Sequence, residues 1–202
     1  MIINLDLKGR KIAVVGDGSD AIYRAKKMAS EGASVTLFSD VVTVGALEES
    51  PTDRQSSSIK IEPAKKIFGR TIFARKRVAD FTMIVATDRK NDINIELAKR
   101  ARRYNILLNT LDEPATCNFS HVAVKEPIPG VEVAISTGGR SPAFASHLAR
   151  KINSTIDEID HEVFEAFVEA RQEVKSQGRS TFEVDWKEIA AEIERRHRQK
   201  VA

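Results

Sequence analysis

The sequence predicts an α/β fold built on a doubly wound parallel sheet, and three observations support that prediction. Short apolar runs occur at 12–15, 34–38, 82–86 and 106–110, and each has the length of a buried strand. Segments with apolar residues at helical spacing follow the first and the third run. A glycine-containing turn lies directly after the first run. Strands that alternate with helices are typical of a parallel sheet with helices on both faces.

The first apolar run opens a strand–helix–strand unit. Residues 12–15 (IAVV) lead into Gly-Asp-Gly, and apolar residues then recur at helical spacing until Gly32, which can end the helix. Residues 34–38 (SVTLF) supply the second strand. The unit has about 30 residues, which is the length that a right-handed crossover between parallel strands requires.

The middle of the chain is less regular. Residues 50–58 (SPTDRQSSS) are predicted to form a polar loop and residues 58–63 (SIKIEP) a short strand, whereas the pattern leaves the structure of 63–76 open. Residues 90–103 predict a helix between the third and fourth apolar runs. The residues of this helix that are predicted to face the sheet are Ile93, Ile95, Leu97 and Ala98.

After Asp112 the pattern changes to an antiparallel pair of strands. Residues 119–124 and 131–136 are apolar segments, and the turn between them contains two prolines and a glycine. A lone antiparallel pair is marginally stable in water and needs a surface to pack on. We therefore expect a second copy of the chain to cover it, because a two-fold pair is the commonest oligomer.

The remainder of the chain is predicted to be helical. Ser141 can cap a helix that has proline at its first position. Ser154 to Asp157 resembles a capping box that opens the next helix. A break at QGRST precedes a last amphipathic helix at 184–198.

The composition indicates a folded protein of weakly basic charge. The 202 residues include 32 basic and 29 acidic side chains, an excess that permits an anionic ligand but is too small to indicate nucleic-acid binding. The single cysteine, Cys117, excludes an intrachain disulfide and fits a reducing cytoplasm, and we interpret it as a small buried hydrophobic residue. A secretory signal and an apolar run of roughly 20 residues are both absent, so we expect a cytoplasmic protein without a membrane span.

Gly16, Gly18 and Ala21 form a G-x-G-x-x-A motif that follows a strand and opens a helix. Gly16 allows a tight turn, Gly18 lets a pyrophosphate approach the backbone, and Ala21 lets the helix pack closely on the strand. The helix N-terminus offers N–H groups and a positive dipole end to phosphates. The motif predicts a Rossmann-type dinucleotide site; the alternative is a glycine turn in an α/β fold that binds no nucleotide.

An acid at the end of the second strand usually binds the ribose hydroxyls of a dinucleotide. Asp40 lies close to that place, and no basic residue stands beside it, which predicts NAD rather than NADP; the alternative is that Asp40 only starts a loop. Thr87 follows the strand 82–86 and is a candidate cofactor contact. Asp17 and Asp20 bring negative charge toward the expected phosphates, and the sequence supplies no reason for them.

Five motifs, in a fixed order, go beyond a generic dinucleotide-binding fold. They are DLKGRKIAVVGDG, GASVTL, VATDRKNDIN, NTLDEPATCNF and VAISTGGRSPAFASHLARKI. Together they resemble the precorrin-2 dehydrogenase family, which includes the siroheme synthase modules. The resemblance covers residues 1–153 apart from the loop after Asp40. Its last two motifs are specific, because a generic Rossmann enzyme has no need of them.

This resemblance implies a homodimer and a chain of three parts. The parts are a NAD-binding Rossmann domain at 1–112, a dimerisation and substrate segment at 113–150 and a helical domain at 151–202. The resemblance also implies NAD-dependent oxidation of precorrin-2 to sirohydrochlorin in siroheme biosynthesis. In bifunctional members ferrous iron is then inserted, and the sequence leaves open whether this chain has that ferrochelatase (lyase) activity.

The family's functional residues transfer to this chain by position. The essential aspartate of its N-x-x-D motif falls on Asp112, and Asn109 matches the asparagine of that motif and is a candidate substrate contact. The alternative is that Asp112 only caps the turn with Pro114, and position alone does not decide between this structural role and a functional one. The family's nucleotide contacts fall on Ser19, Asp20, Asp40 and Val41.

A second candidate substrate segment is Ser136-Thr137-Gly138-Gly139, which corresponds to the family's serine–glycine–glycine segment. Because a helix follows it, its N–H groups could bind the carboxylates of a tetrapyrrole. The alternative is an ordinary turn between a strand and a helix.

The chemistry that the resemblance implies is removal of a hydride and a proton. NAD accepts the hydride, and Asp112, at the carboxyl end of the last parallel strand, is the candidate base. The four histidines share no ligand spacing, so no resident metal is predicted. A hypothesis from another class is a non-catalytic dinucleotide-sensing module, but a sensor would not need the motifs NTLDEP and VAISTGGRSP.

Overall fold

The computed structural model divides the chain into two compact units, Met1–His121 and Val122–Ala202. The residues that it describes are 2–42, 59–68, 77–87, 91–111 and 113–201. The predicted polar loop at 50–58 and the candidate base Asp112 lie outside the described residues. The three-part division expected from the sequence stays a prediction.

The first unit contains a parallel sheet of five strands, and the prediction of such a sheet is confirmed. The strand order is β3-β2-β1-β4-β5, so the chain builds outward from β1 in both directions. The strands are β1 (Lys11–Val15), β2 (Ser34–Phe38), β3 (Ile59–Glu62), β4 (Met83–Ala86) and β5 (Leu107–Asn109).

Helices cover both faces of this sheet, as a doubly wound fold requires. They are α1 (Ser19–Ser30), the short α2 (Lys65–Phe68) and α3 (Asn91–Tyr104). Alternate residues of β1 enter two separate cores: Val14 packs in the core that α1 covers, and Val15 packs in the core that α3 covers. Burial on both faces explains why the strands are continuous apolar runs instead of alternating ones.

The buried face of α3 differs from the predicted one. Leu97 and Ala98 are buried as expected, but Ile95 is 43% exposed and Ile93 only partly buried. Asn94 occupies the centre of the buried face, with Ile93 and Ile95 on its two flanks because successive helical residues are about 100° apart. The polar side chain at the centre has a structural reason, which is its hydrogen bond to Glu113.

The second unit begins with the predicted antiparallel pair; its second strand lies where it was expected, but its first strand begins at Ala123 instead of at residue 119. Its strands are β6 (Ala123–Ile128) and β7 (Val131–Ile135), joined by a turn in which Gly130 has φ +79°. Phe119, predicted to lie in the first strand, instead packs against the core of the first unit. The register of the pair is irregular between Lys125 and Ile128, where Pro127 lies.

The helices of the second unit are α4 (Pro142–Asn153), α5 (Glu158–Ser176) and α6 (Trp186–Val201), with a 3₁₀ turn at Thr181–Glu183. Ser141 caps α4 by accepting the Phe144 N–H at 3.2 Å, as predicted. The predicted capping box at Ser154 is wrong, because the Ser154 N–H closes the end of α4. The true capping box is formed three residues later by Asp157 and Asp160.

A buried carboxylate ends β3. The Glu62 side chain is 4% exposed, and its oxygens lie 2.7 Å from Lys60 Nζ, 2.8 Å from Arg77 Nη2 and 3.4 Å from Lys66 Nζ. Burial alone would raise the pKa of Glu62, but the hydrogen bond from Lys60, the charge of Arg77 and the hydrogen bond from Lys66 together hold this pKa below its ordinary value of 4.5. The charged form of Glu62 therefore stabilises the folded state.

We expect Glu62→Gln to lower the free energy of unfolding at pH 7 by about 2 kcal/mol, the scale of a hydrogen bond to a charged group. Because the folded pKa is depressed, this stabilisation is present above pH 4.5 and is lost as the pH falls through the lower folded value. Denaturant unfolding from pH 7 to 3 should show the two proteins converging in acid. Glu31→Gln, which breaks an exposed pair with Lys27, is the control and should change little. A constant difference at all pH values would contradict the prediction.

Candidate functional site

Gly16 forms the floor of the turn after β1. Its N–H donates to the Phe38 carbonyl at 3.0 Å, and its φ is +150°. A Cβ at this position would lie 1.9 Å from Thr87 Oγ1 and 3.3 Å from the Ala21 Cβ. The close packing of a strand end, a helix start and Thr87 therefore demands glycine here, as the motif predicted.

Thr87, the residue after β4, packs beneath the same turn. Its N–H donates to the Val15 carbonyl at 2.8 Å, and its hydroxyl donates to the same oxygen at 3.3 Å. The side chain thus joins the ends of β1 and β4 beneath the turn. Its predicted contact with a cofactor stays a prediction, and the following Asp88 lies outside the described residues.

Gly18 is different from Gly16, because the fold itself does not require a glycine there. It is the N-cap of α1 with φ −101°, and a Cβ built on it would meet nothing within 4 Å. Ser19 and Asp20 are exposed in the first turn, where backbone N–H groups precede the hydrogen bonds of the helix. The space above Gly18 is therefore open and faces the positive end of a helix.

Asp17 connects this turn to the end of β2. Its Oδ1 accepts the Ser39 hydroxyl at 2.6 Å and the Asp40 N–H at 3.0 Å. The Ser39 hydroxyl in turn accepts the Val42 N–H at 2.9 Å, and Ser39 is buried. These bonds give the acid at position 17 a structural reason that the sequence did not reveal.

Asp40 follows β2 at the same edge of the sheet and is exposed. Its Oδ1 accepts the Ala64 N–H at 3.0 Å, which ties the end of β2 to the residues just before α2. Val41 beside it is 69% exposed. Because the carboxyl ends of parallel strands share one edge, Gly16 to Gly18 and Asp40 lie where an α/β sheet binds its ligands.

Hydrogen bonds to the backbone hold the loop that follows β5. Asn109, the candidate substrate contact, is 5% exposed; its Oδ1 accepts the Leu111 N–H at 3.0 Å and its Nδ2 donates to the Phe119 carbonyl at 3.1 Å. Asn118 pairs with β5 by accepting the Leu108 N–H at 2.7 Å. Asn109 therefore shapes the loop on both sides of Asp112, and Leu111 adopts a φ of +53° there.

Glu113 and Cys117 complete this loop. Glu113 Oε2 accepts the Asn94 Nδ2 at 3.0 Å, so the residue after Asp112 is anchored to α3. Cys117 is only partly buried, and its sulfur accepts the Thr110 N–H at 3.2 Å, so its interpretation as a buried hydrophobic residue was wrong. Sequence reasoning missed these polar contacts, although Cys117 and Asn118 stand in the NTLDEPATCNF motif.

The turn Ser136-Thr137-Gly138-Gly139 lies in the second unit between β7 and α4. Gly138 and Gly139 have φ values of +61° and +79°, and neither a Cβ on Gly138 nor one on Gly139 would meet an atom within 4 Å. The Ser136 hydroxyl accepts the Gly138 N–H at 3.2 Å, and the Thr137 hydroxyl accepts the Ser141 N–H at 3.1 Å. The two hydroxyls therefore stabilise the turn itself, and the glycines leave open space next to the backbone.

Comparison with known families decides what the first unit is. Residues 3–123 match the model of the NAD(P)-binding family NAD_binding_7. The chain belongs to this family. The matched residues include the G-x-G-x-x-A turn, Asp40, Thr87 and the loop that holds Asp112. The prediction of a dinucleotide-binding domain is thereby confirmed.

This NAD(P)-binding chain is similar in sequence to a siroheme synthase and to a precorrin-2 dehydrogenase. The siroheme synthase of Methylococcus capsulatus is 30% identical over 154 residues, which is 76% of this chain and 30% of that protein. The precorrin-2 dehydrogenase of Bacillus subtilis is 29% identical over 155 residues, which is 77% of this chain and 88% of that protein. The match spans about a third of the length of each of three siroheme synthases.

A solved structure described as SirC, precorrin-2 dehydrogenase, shares the fold. It superposes with a TM-score of 0.63 at 21% identity and covers 96% of this chain and 99% of its own. The likeness confirms the predicted fold class, including the helices after the parallel sheet.

The geometry fits a bound dinucleotide. The open face of Gly18 leaves room for a pyrophosphate at the start of α1, and the exposed Asp40 carboxylate follows the adjacent strand β2. In the described part of the chain, no group of three or more His, Cys, Asp or Glu side chains could hold a metal ion. No described helix is long and apolar enough to cross a bilayer.

We expect Gly18→Ala to weaken NAD binding at least tenfold while the free energy of unfolding changes by less than about 1 kcal/mol. The added methyl meets no protein atom, since the space around Gly18 is open, but it would occupy the path of the pyrophosphate. Titration calorimetry measures the NAD affinity, and denaturant unfolding of the same samples measures the free energy of unfolding. Unchanged NAD affinity would show that the phosphates do not approach the backbone at Gly18.

Proposed function

We propose that the protein catalyses NAD-dependent oxidation of precorrin-2 to sirohydrochlorin in siroheme synthesis, as a cytoplasmic enzyme. One observation carries the proposal: the dinucleotide turn after β1 and the loop that bears Asp112 after β5 lie at the same carboxyl edge of one parallel sheet. The relative that the match covers almost fully is named precorrin-2 dehydrogenase, which supports the choice of substrate.

The proposal assigns separate tasks to the residues of the first unit. When bound, NAD supplies the acceptor for the hydride. The start of α1 and Gly18 bind the pyrophosphate, and Asp40 binds the adenosine ribose. Asp112 accepts the proton that leaves the substrate.

Hydrogen bonds hold the residues on both sides of Asp112. Asn109 binds the backbone of Leu111, and Glu113 binds Asn94 on α3. Asn94 is fully buried, so this second anchor is fixed to the core. These contacts hold the described residues 111 and 113, and we propose that they help to position the loop for catalysis.

Within the second unit, we propose that the turn Ser136–Gly139 is a binding site for carboxylate groups. Gly138 and Gly139 leave the backbone accessible, and α4 starts just beyond the turn at Pro142. The N–H groups of Gly138 and Ser141 already donate to the Ser136 and Thr137 hydroxyls, so the exposed backbone at Gly139 is the part of the turn where a carboxylate would bind. Precorrin-2 and sirohydrochlorin carry several carboxylates, so the chemistry of ligand and turn agrees.

We further propose that the protein is a homodimer built on the second unit. Among the described hydrophobic residues of this unit only Ala145, Ala149 and Val174 are buried, whereas the first unit buries most of the apolar side chains of its parallel strands. No side chain of the β6–β7 hairpin is fully buried, and Val124 on β6 is 46% exposed. An 81-residue unit with so small a core needs a further apolar surface to pack on.

We expect light scattering at micromolar concentration to give twice the chain mass of 22.4 kDa. Val124→Glu should shift the protein toward the monomer, since it places a charge on the exposed apolar surface of the hairpin. Tyr23→Glu changes an exposed apolar residue of α1 in the first unit and should leave the dimer intact. A monomer mass for the unmodified protein would contradict the proposal.

The test of the proposed reaction supplies anaerobic precorrin-2 and NAD to the purified protein and then adds ferrous iron. Sirohydrochlorin and NADH should appear in the first stage. Formation of siroheme in the second stage above the rate without protein would add ferrochelatase activity to the function. A protein that binds NAD but forms no sirohydrochlorin would support the dinucleotide-sensing hypothesis instead.

A further inference from the structure

Asp17 stands in the phosphate turn, yet its carboxylate is directed toward the end of β2. The same oxygen, Oδ1, accepts the Asp40 N–H at 3.0 Å and the Ser39 hydroxyl at 2.6 Å. We propose that Asp17 is a positioning residue that holds Asp40 in place to bind the adenosine ribose, so that the pyrophosphate turn and the ribose-binding acid act as one hydrogen-bonded unit. This inference rests on the proposed dinucleotide site.

The contacts around Asp40 hold its backbone and its side chain from two directions. Asp17 holds its N–H, and the Ala64 N–H holds its Oδ1 at 3.0 Å. The bond from the Asp40 N–H alone would leave the side chain free to rotate, and the bond to Oδ1 alone would leave the backbone free to rotate. Together they fix the direction of the carboxylate, and this carboxylate accepts hydrogen bonds from ribose hydroxyls only in a narrow geometry.

Ser39 stabilises the connection between Asp17 and Asp40 through additional hydrogen bonds. It is 4% exposed, and its hydroxyl donates to Asp17 while accepting the N–H groups of Val41 and Val42 at 3.2 and 2.9 Å. Its own N–H donates to the Glu62 carbonyl at 3.0 Å. The segment that carries Asp40 is therefore bonded to β3 on one side and to the phosphate turn on the other.

The charge of Asp17 also has an explanation in this arrangement. A carboxylate near a pyrophosphate is repulsive, but the Ser39 hydroxyl and the Asp40 N–H both donate to it. An asparagine could accept the same two hydrogen bonds through its own Oδ1 and would lack the charge. Asp17→Asn therefore preserves the positioning, whereas Asp17→Ala removes it.

The experiment compares two ligands by calorimetry: NAD and its analogue with 2′-deoxyadenosine, which lacks the hydroxyl that Asp40 would bind. In the unmodified protein the analogue should bind about tenfold more weakly than NAD, the scale of about 1.4 kcal/mol. Asp17→Ala should weaken NAD binding about tenfold and the analogue less than threefold. Asp17→Asn should bind NAD at least as well as the unmodified protein and should keep the discrimination between the ligands.

Several controls separate positioning from a general loss of structure. Asp40→Ala should reproduce the pattern of Asp17→Ala, and the double variant should lose little more than either single one, because the two residues act on one contact. Ser30→Ala, at the other end of α1, should bind both ligands normally; its hydroxyl contacts only the Lys27 carbonyl among the described bonds. Thermal unfolding of each variant records its stability.

Equal weakening of both ligands in Asp17→Ala would overturn the proposal, since Asp17 would then act on the phosphate turn alone. An unmodified protein that does not distinguish the two ligands, or does not bind NAD, would also overturn it. The readout is binding without turnover, so a failure to oxidise precorrin-2 leaves this test intact and counts only against the proposed reaction.

Discussion

Asp112→Asn is expected to lower the turnover of precorrin-2 by about 10²- to 10⁴-fold, the usual contribution of a positioned general base. Asparagine has the shape and hydrogen-bonding reach of aspartate but cannot take up the proton that leaves the substrate. NAD affinity and the free energy of unfolding should stay close to those of the unmodified protein, because asparagine caps a turn about as well as aspartate does. Single-turnover absorbance and calorimetry measure the two quantities.

Glu113→Gln is the matched control for this experiment. The Glu113 side chain accepts a hydrogen bond from Asn94 at 3.0 Å, and a glutamine oxygen can accept the same bond. We therefore expect this variant to keep turnover within about threefold, less than the loss of one neutral hydrogen bond. Near-normal turnover in Asp112→Asn together with a large loss in Glu113→Gln would move the catalytic role to Glu113. Loss of NAD binding in Asp112→Asn would contradict a role limited to the base.

Gly16→Ala is expected to lower the free energy of unfolding by roughly 2–6 kcal/mol, combining overpacking with backbone strain. The new Cβ would lie 1.9 Å from Thr87 Oγ1 and would force a non-glycine residue to adopt φ +150°. Either the strand ends β1 and β4 must separate or Thr87 must leave its place. Denaturant unfolding at pH 7 measures the effect, and NAD binding should fall with it.

Thr87→Ala tests the cause of this loss. In the double variant Gly16→Ala with Thr87→Ala the hydroxyl that clashes is gone, so part of the lost stability should return. The strain from φ +150° stays, so recovery should be incomplete. Gly18→Ala provides the contrast, since an identical methyl in open space should cost no more than the loss of N-cap preference, about 1 kcal/mol. Equal destabilisation by the two glycine variants would show that the turn packs differently.

Much of the first unit could be predicted because its signals are local. Apolar runs of strand length, the glycine turn and the stop at Gly32 depend on neighbouring residues, and each appears in the structure where it was expected. The cap at Ser141 was also predictable, since it involves only the next three residues. The box at Ser154 was wrong because a second capping signal, Asp157 with Asp160, stands three residues later and α5 begins there.

The polar contacts of the candidate site could not be predicted, because they join residues far apart in the sequence. Asp17 reaches Ser39 across 22 positions, and Asn94 reaches Glu113 across 19. The two residues of each pair lie in different parts of the fold, so no periodicity within a single helix or strand connects them. The face of α3 was misjudged for the same reason: Asn94 counts as polar in a pattern, yet its partner in the loop after β5 draws it into the core.

The central claim is that this NAD(P)-binding chain oxidises precorrin-2, and its most direct test is the stoichiometry of the reaction. Removal of one hydride per substrate requires one NADH for each sirohydrochlorin formed. Anaerobic precorrin-2 and excess NAD are mixed with the protein, and the two products are followed by their separate absorbance bands. We expect a one-to-one ratio and a rate that falls in parallel for both products in Asp112→Asn. Sirohydrochlorin formed without NADH, or no sirohydrochlorin while NAD is bound, would contradict the claim.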